Sequence, residues 1–131
     1  MSSTLTVYDE TLSGDRTPAC TLDFLSERVT VRELVRARVW QEVQDYNLRL
    51  PELFQGLVQP TDTERTLNGF RLRTRRRIDW EAQAARALEA FERNGFMVLV
   101  DDRQAESLDE EIVIRLDTTV SFLKLVPLVG G

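Results

Sequence analysis

The sequence has no histidine, one cysteine (Cys20) and one lysine (Lys124) among its 131 residues. Without histidine there are no His-based triads, the commonest general base is missing, and nearly all transition-metal sites are excluded. One cysteine makes neither an internal disulfide nor a thiolate zinc site, and a reducing cytoplasm is the expected compartment. Schiff-base or P-loop chemistry would rest on Lys124 alone, and Lys124 sits in no glycine-rich loop. No apolar run approaches the ~18 residues of a membrane helix. The opening Met1-Ser2-Ser3-Thr4 has no basic region followed by an apolar stretch, so no secretory signal is expected. Together these absences point away from an enzyme, a metalloprotein and a membrane protein. What is present is a charged, acidic composition, with 22 acids, 17 bases and a net charge of −5. That argues against a general nucleic-acid binder and leaves room for a local basic patch. The length predicts a single domain, 1–131.

Thr4 to Asp9 alternates Leu5 and Val7 with polar neighbours, the period of a half-buried strand. Ser13-Gly14-Asp15 reads as a turn. Cys20, Leu22 and Phe24 then share one face of a second strand, which completes an N-terminal hairpin. Thr30 and Glu33 form a capping box, with Val29 and Leu34 spaced as a hydrophobic staple. Val31, Leu34, Val35, Val39, Val43 and Tyr46 make the apolar stripe of the helix that follows. Arg32, Arg36, Glu42 and Asp45 are expected on its solvated side, and Asn47 is expected to stop it before Pro51.

Residues 47–95 are less regular. Asn68-Gly69 is a hairpin dipeptide, with Leu67, Phe70 and Leu72 as short flanking strands. A basic run, Arg71, Arg73, Arg75, Arg76 and Arg77, follows. Asp79 caps a second helix whose stripe is Trp80, Ala84, Ala87, Leu88 and Phe91, and Asn94-Gly95 ends it. Phe96–Val100 reads as a strand buried on both faces, and 101–104 as a turn. Ser107 is expected to cap a one-turn helix, Leu108 to Ile112. Val120, Phe122, Leu125 and Val126 form a last strand that ends at Pro127, which has no N–H to donate.

The last 36 residues read FMVLVDDRQAESLDEEIVIRLDTTVSFLKLVPLVGG. In that stretch Gln104, Leu108, Asp109, Ile112, Thr118, Thr119 and Leu125, followed by Gly130-Gly131, resemble the ubiquitin-like β-grasp family. Pro127, Leu128, Val129, Gly130 and Gly131 are also similar to the tail of bacterial sulfur carriers. The likeness covers about residues 1–46 and 96–131, which leaves 47–95 as an insertion and 127–131 as a flexible tail. It implies an α+β fold, a mixed β-grasp sheet packed on one long helix. It also implies that the chain is a substrate rather than an enzyme. A ThiF-like activating enzyme using ATP would adenylate the carboxylate of Gly131, and a conjugating enzyme would pass it to target proteins. A deconjugating protease would release it, and the chain itself would carry no cofactor. Pro127, Leu128 and Val129 would be read by these enzymes. Bacterial ubiquitin-like proteins beside ThiF-like enzymes are the nearest comparison. A sulfur carrier ending in a thiocarboxylate, or a β-grasp adaptor that is never conjugated, are the alternatives.

The tail has physical merit of its own. Two glycines at a chosen terminus arise by chance in about one chain in 200. A glycine backbone fits a narrow channel and allows close approach to a phosphate. An adenylated carboxylate is an acyl donor to a thiolate or amine. With Gly131 last in the sequence, no processing protease is expected. Against this stands an accidental Gly-Gly on a frayed end.

Each other feature has a plain reading beside a functional one. Cys20 is expected to be a buried apolar side chain. The run from Arg71 to Arg77 could bind phosphates, dock an acidic enzyme face, or keep an edge strand solvated. The acids at 101–111 lack calcium-loop spacing and read as solvated charge. Trp80 and its helix read as core, or as a partner surface if left exposed. With Lys124 the sole lysine, attachment as a single unit is expected rather than chains.

Overall fold

The main helix begins where its cap residue dictates. Thr30 is extended, and its hydroxyl accepts from the amide of Glu33 at 3.1 Å, which satisfies one of the four free N–H groups of the first turn. This helix, α1, spans Val31–Arg49. It is preceded by strands β1 (Ser3–Glu10), β2 (Arg16–Phe24) and β3 (Arg28–Thr30). After it come β4 (Thr63–Thr66), β5 (Gly69–Leu72), α2 (Trp80–Glu92), β6 (Phe96–Val100), β7 (Arg103–Gln104), β8 (Glu111–Val113) and β9 (Val120–Lys124). The chain is described here from a computed structural model over residues 3–74 and 76–125.

The fold is α+β. A five-stranded mixed sheet runs in the order β2-β1-β9-β6-β7. β1 pairs antiparallel with β2 and parallel with β9, Val7 lying opposite Val120. β6 pairs antiparallel with β9, from Phe96 opposite Lys124 to Val100 opposite Val120. The last strand is therefore interior to the sheet. One sheet face supplies Leu5, Val7, Leu22, Phe96, Val98, Val100, Val120 and Phe122 to the core. Val31, Leu34, Val35, Val39 and Val43 of α1 are fully buried with them. None of the helices among the described residues is long and apolar enough to cross a membrane.

Several expectations need correcting. Both expected helices form, but the sheet is not packed on one long helix alone, because α2 buries Ala84, Ala87 and Phe91 in the same core. α1 does not stop at Asn47. It runs to Arg49 and ends on Leu50, in the left-handed region at φ 46°, whose N–H reaches Tyr46 at 2.7 Å. The carboxamide of Asn47 is used elsewhere. It donates to the Ile78 carbonyl at 3.0 Å and accepts from the Ile78 amide at 2.8 Å, tying α1 to the approach to α2. Leu67 is not a strand residue; it and Asn68 form the two-residue loop between β4 and β5. β6 is not buried on both faces, since Phe96, Val98 and Val100 are buried and Met97 and Leu99 only partly so. Arg103 and Gln104 belong to β7, paired with Val100 and Leu99. No one-turn helix forms over Leu108–Ile112. Ser107 accepts from the Asp109 amide, and the chain then straightens into β8, paired with β3. The ladder to Arg28–Thr30 takes the backbone groups that a helical turn would have used.

The end of α2 follows the sequence expectation. Asp79 caps its start by accepting from the Ala82 amide. Asn94 lies at φ 61°, and the Gly95 amide reaches Ala90 O at 2.7 Å while that of Asn94 reaches Phe91 O at 3.1 Å. This pair of bonds is a Schellman closure.

Candidate functional site

Gly130, Gly131, Pro127, Leu128 and Val129 lie outside the described residues, as does Arg75. The last described segment, at the root of that tail, is held twice by the 47–95 stretch. The Leu125 amide donates to Gly95 O at 3.2 Å, and the Lys124 ammonium donates to Gly56 O at 3.3 Å. Gly56 can stand there because it has no Cβ, for a Cβ would collide with the ring of Phe54. That ring is pinned edge-on against Tyr46, 5.4 Å between centroids.

The tail root opens onto a cleft of about 1220 Å³. Its walls are the C-terminal half of α1, the β4–β5 hairpin, α2, and the ends of β1, β2 and β9. At its floor is a charged cluster, one member of which, Glu42, was expected on the solvated side of the helix. Arg38 is 2% exposed and donates to both oxygens of Asp9, at 2.6 and 3.1 Å. Its Nε donates to Glu42 at 3.2 Å, and its guanidinium lies 4.6 Å above the Phe122 ring centre. Glu42 in turn accepts from the Leu57 amide at 3.2 Å. One arginine thus joins the sheet to α1, and Glu42 joins α1 to the loop before β4.

Burial disfavours the charged forms here. It would lower the Arg38 pKa, but Glu42 and Asp9 more than offset this and hold the guanidinium above its ordinary value. Burial raises the Glu42 carboxyl above the ordinary range, although Arg38, the Leu57 amide and Lys124 pull the other way. Cys20, half-buried on the cleft wall, has its thiol pushed up to about 11 by burial, against a smaller opposing pull from Arg38. A thiol held so far above neutrality is not a nucleophile. Its half-buried packing against the core is close to the buried apolar role expected of it.

Among the described residues, none of the basic run lines this cleft. Arg71 projects from β5 and pairs with Glu52 at 3.3 Å. Arg73 is exposed, with its amide bonded to Asp62 O. Arg76 donates to Thr61 O at 2.9 Å, and Arg77 is exposed. Among the described residues it is Arg49, Arg65, Arg86, Arg93 and Lys124 that line the cleft beside the buried Arg38. Four acids of 101–111 pair with arginines instead: Asp102 with Arg16, Asp109 with Arg32, Glu111 with Arg28 and Glu110 with Arg103. Hydrogen bonds to Glu10 and Asp102 raise the Arg16 pKa. No group of acids able to hold a metal is found among the described residues.

The sequence did carry a signal for the cluster. Positions 31, 35, 38, 42 and 46 follow one another at helical spacing, so Arg38 and Glu42 lie on the same face as the valines. A polar pair four residues apart inside an apolar stripe indicates a buried ion pair. Gln83 was legible the same way, next to Ala84 and Ala87 on α2, and it donates to Val58 O at 2.7 Å. The cleft itself depends on long-range packing that no local pattern encodes.

No protein-family model matches the chain, and neither a search of curated proteins nor one of solved structures returns a match.

Proposed function

We propose that this chain is a ubiquitin-like protein modifier with a β-grasp fold. In this reading a ThiF-like activating enzyme uses ATP to adenylate the Gly131 carboxylate, a conjugating enzyme transfers the acyl group to amines of target proteins, and a deconjugating protease reverses it. One observation carries the reading. The last strand, β9, lies inside the sheet between a parallel β1 and an antiparallel β6, the position a β-grasp requires. The residues that follow in sequence are Pro127-Leu128-Val129-Gly130-Gly131. An interior strand followed in sequence, after five residues, by two glycines offers an enzyme a folded body and a narrow acyl donor. The chain's own chemistry supports a substrate role: its thiol is neutral at physiological pH and its buried carboxylate is occupied by Arg38 and Leu57. The single free cysteine fits a reducing cytoplasm.

The test is ATP–pyrophosphate exchange with a ThiF-like enzyme from the same source, combined with intact-mass analysis of the protein from its host. Exchange and higher-mass conjugates, both lost on deleting Gly130-Gly131, are expected. A mass change of one oxygen to sulfur at the carboxylate would replace the modifier by a sulfur carrier. No exchange, an unmodified carboxylate and no conjugates would overturn both.

A further inference from the structure

Among the described residues seven of the fifteen arginines have a carboxylate partner, and the cleft at the tail root gathers, from separate elements, cations that have none. Arg49 at the end of α1, Arg65 on β4, Arg86 on α2 and Lys124 on β9 come from four elements and line one opening. Among the described residues none of the four has a carboxylate within ion-pair distance, whereas Arg38 and Arg93 are neutralised by Asp9, Glu42 and Glu89. Asp45 is the remaining acid of the lining, and it accepts from Gln41. The four cations are exposed, and their bonds go to neutral groups: Arg86 to Gln59 O, Lys124 to Gly56 O, and Arg65 against the Phe70 ring. Between them the mixed wall includes apolar side chains, with Leu67 fully exposed and Phe70 partly buried.

From this we infer that the cleft is a docking site for an acidic, extended segment of a partner protein that also carries apolar side chains. Carboxylates of that segment pair with the four cations, and its apolar groups cover Leu67 and Phe70. Opposite charge across an opening speeds encounter and fixes orientation, and a chain of net charge −5 needs such a local reversal to receive an acidic partner. That the partner is the enzyme acting on the tail rests on the function proposed above; the charge preference of the cleft does not.

The probe is a synthetic twelve-residue peptide alternating Asp or Glu with Leu or Phe, titrated at low ionic strength into full-length protein while amide NMR shifts are recorded. Saturable shifts at Gly56, Phe70 and Lys124 are expected. Binding should weaken at least tenfold in the Arg49→Glu/Arg86→Glu protein and in the charge-neutral Arg49→Gln/Arg86→Gln protein. It should be unchanged in Arg115→Glu, an exposed position away from the cleft, and a basic peptide of equal length should not bind. Absence of saturable binding, shifts confined to Arg73–Arg77, or unchanged affinity in both double variants with native melting curves would overturn the inference. Pyrophosphate exchange measured beside this titration on the full-length protein separates the two proposals. Peptide binding without pyrophosphate exchange removes the modifier reading and keeps the cleft. Exchange without peptide binding does the reverse.

Discussion

Arg38 and Asp9 meet through two hydrogen bonds, 2.6 and 3.1 Å, with the guanidinium 2% exposed and one-third of the carboxylate side chain in contact with solvent. The pair therefore spans the boundary between the core and the cleft. Removing one partner of a buried ion pair strands the other, and the loss is typically about 3–5 kcal/mol. Arg38→Ala is expected to lose stability in that range, because Glu42 would stay buried without its cation. Asp9→Asn is expected to lose less, since Glu42 still neutralises Arg38 and the Asp9 side is partly wet. Urea unfolding midpoints measured on the two variants check the order.

Glu42 gives the stability a definite pH dependence. Its folded pKa is raised above the ordinary carboxylate range, so the folded state binds this proton more tightly than the unfolded state does. The resulting stability is fully present below the unfolded value, about 4.3. It is lost as pH rises through the raised folded value. Glu42→Gln, which does not titrate, is expected to remove that part of the slope above pH ~4.3. Urea titrations at a series of pH values in both proteins would reveal a parallel slope if the assignment is mistaken.

Cys20 offers a kinetic readout of the same burial. A thiol raised from 9.0 to about 11 carries about a hundredfold less thiolate at neutral pH. Iodoacetamide is expected to label native protein about a hundred times more slowly than unfolded protein at pH 7.5, even though Cys20 is half-exposed. Equal rates would mean that the thiol is not desolvated.

Asn47 and Gly56 test how the 47–95 stretch is attached. Asn47→Ala deletes both bonds to the Ile78 backbone and leaves a buried amide and carbonyl unpaired, at a cost of about 1–3 kcal/mol per group. Hydrogen exchange at Ile78 is expected to accelerate before global unfolding. Gly56→Ala drives a methyl into the Phe54 ring, which packs edge-on against Tyr46. Overpacking of this kind costs about 1–3 kcal/mol, and the melting temperature should fall. An unchanged melt would show that the Phe54 ring is free to step aside.

The parts of this molecule that were legible in sequence are those governed by neighbours a few residues apart. Thr30 with Glu33, Asp79 with Ala82, and Asn94-Gly95 each announce a helix end through a local bond. The alternation of Leu5 and Val7 places β1 correctly. What misled was also local. Leu108–Ile112 has helical composition, yet its backbone is claimed by Arg28–Thr30, some eighty residues earlier. Glu42 looked like a surface acid because its partner Leu57 and the Asp9 that shares its arginine lie outside any helical window. The cleft cations come from four elements, so no stretch of sequence displays them together, whereas the described residues of the visible basic run, Arg71, Arg73, Arg76 and Arg77, do not line it.

The parallel ladder of Val7 to Val120 through Glu10 to Leu123 joins segments more than a hundred residues apart in sequence. During synthesis β1 and β2 emerge first and can form their hairpin at once, but the central seam of the sheet stays open until β9 has left the ribosome. Pairings so distant in sequence are slow to form because loop closure precedes any reward from contact. A ribosome stalled before Val120 would thus present a hairpin and two helices with Val7, Val98 and their neighbours uncovered. Closure of the hydrophobic interior therefore waits on the arrival of β9.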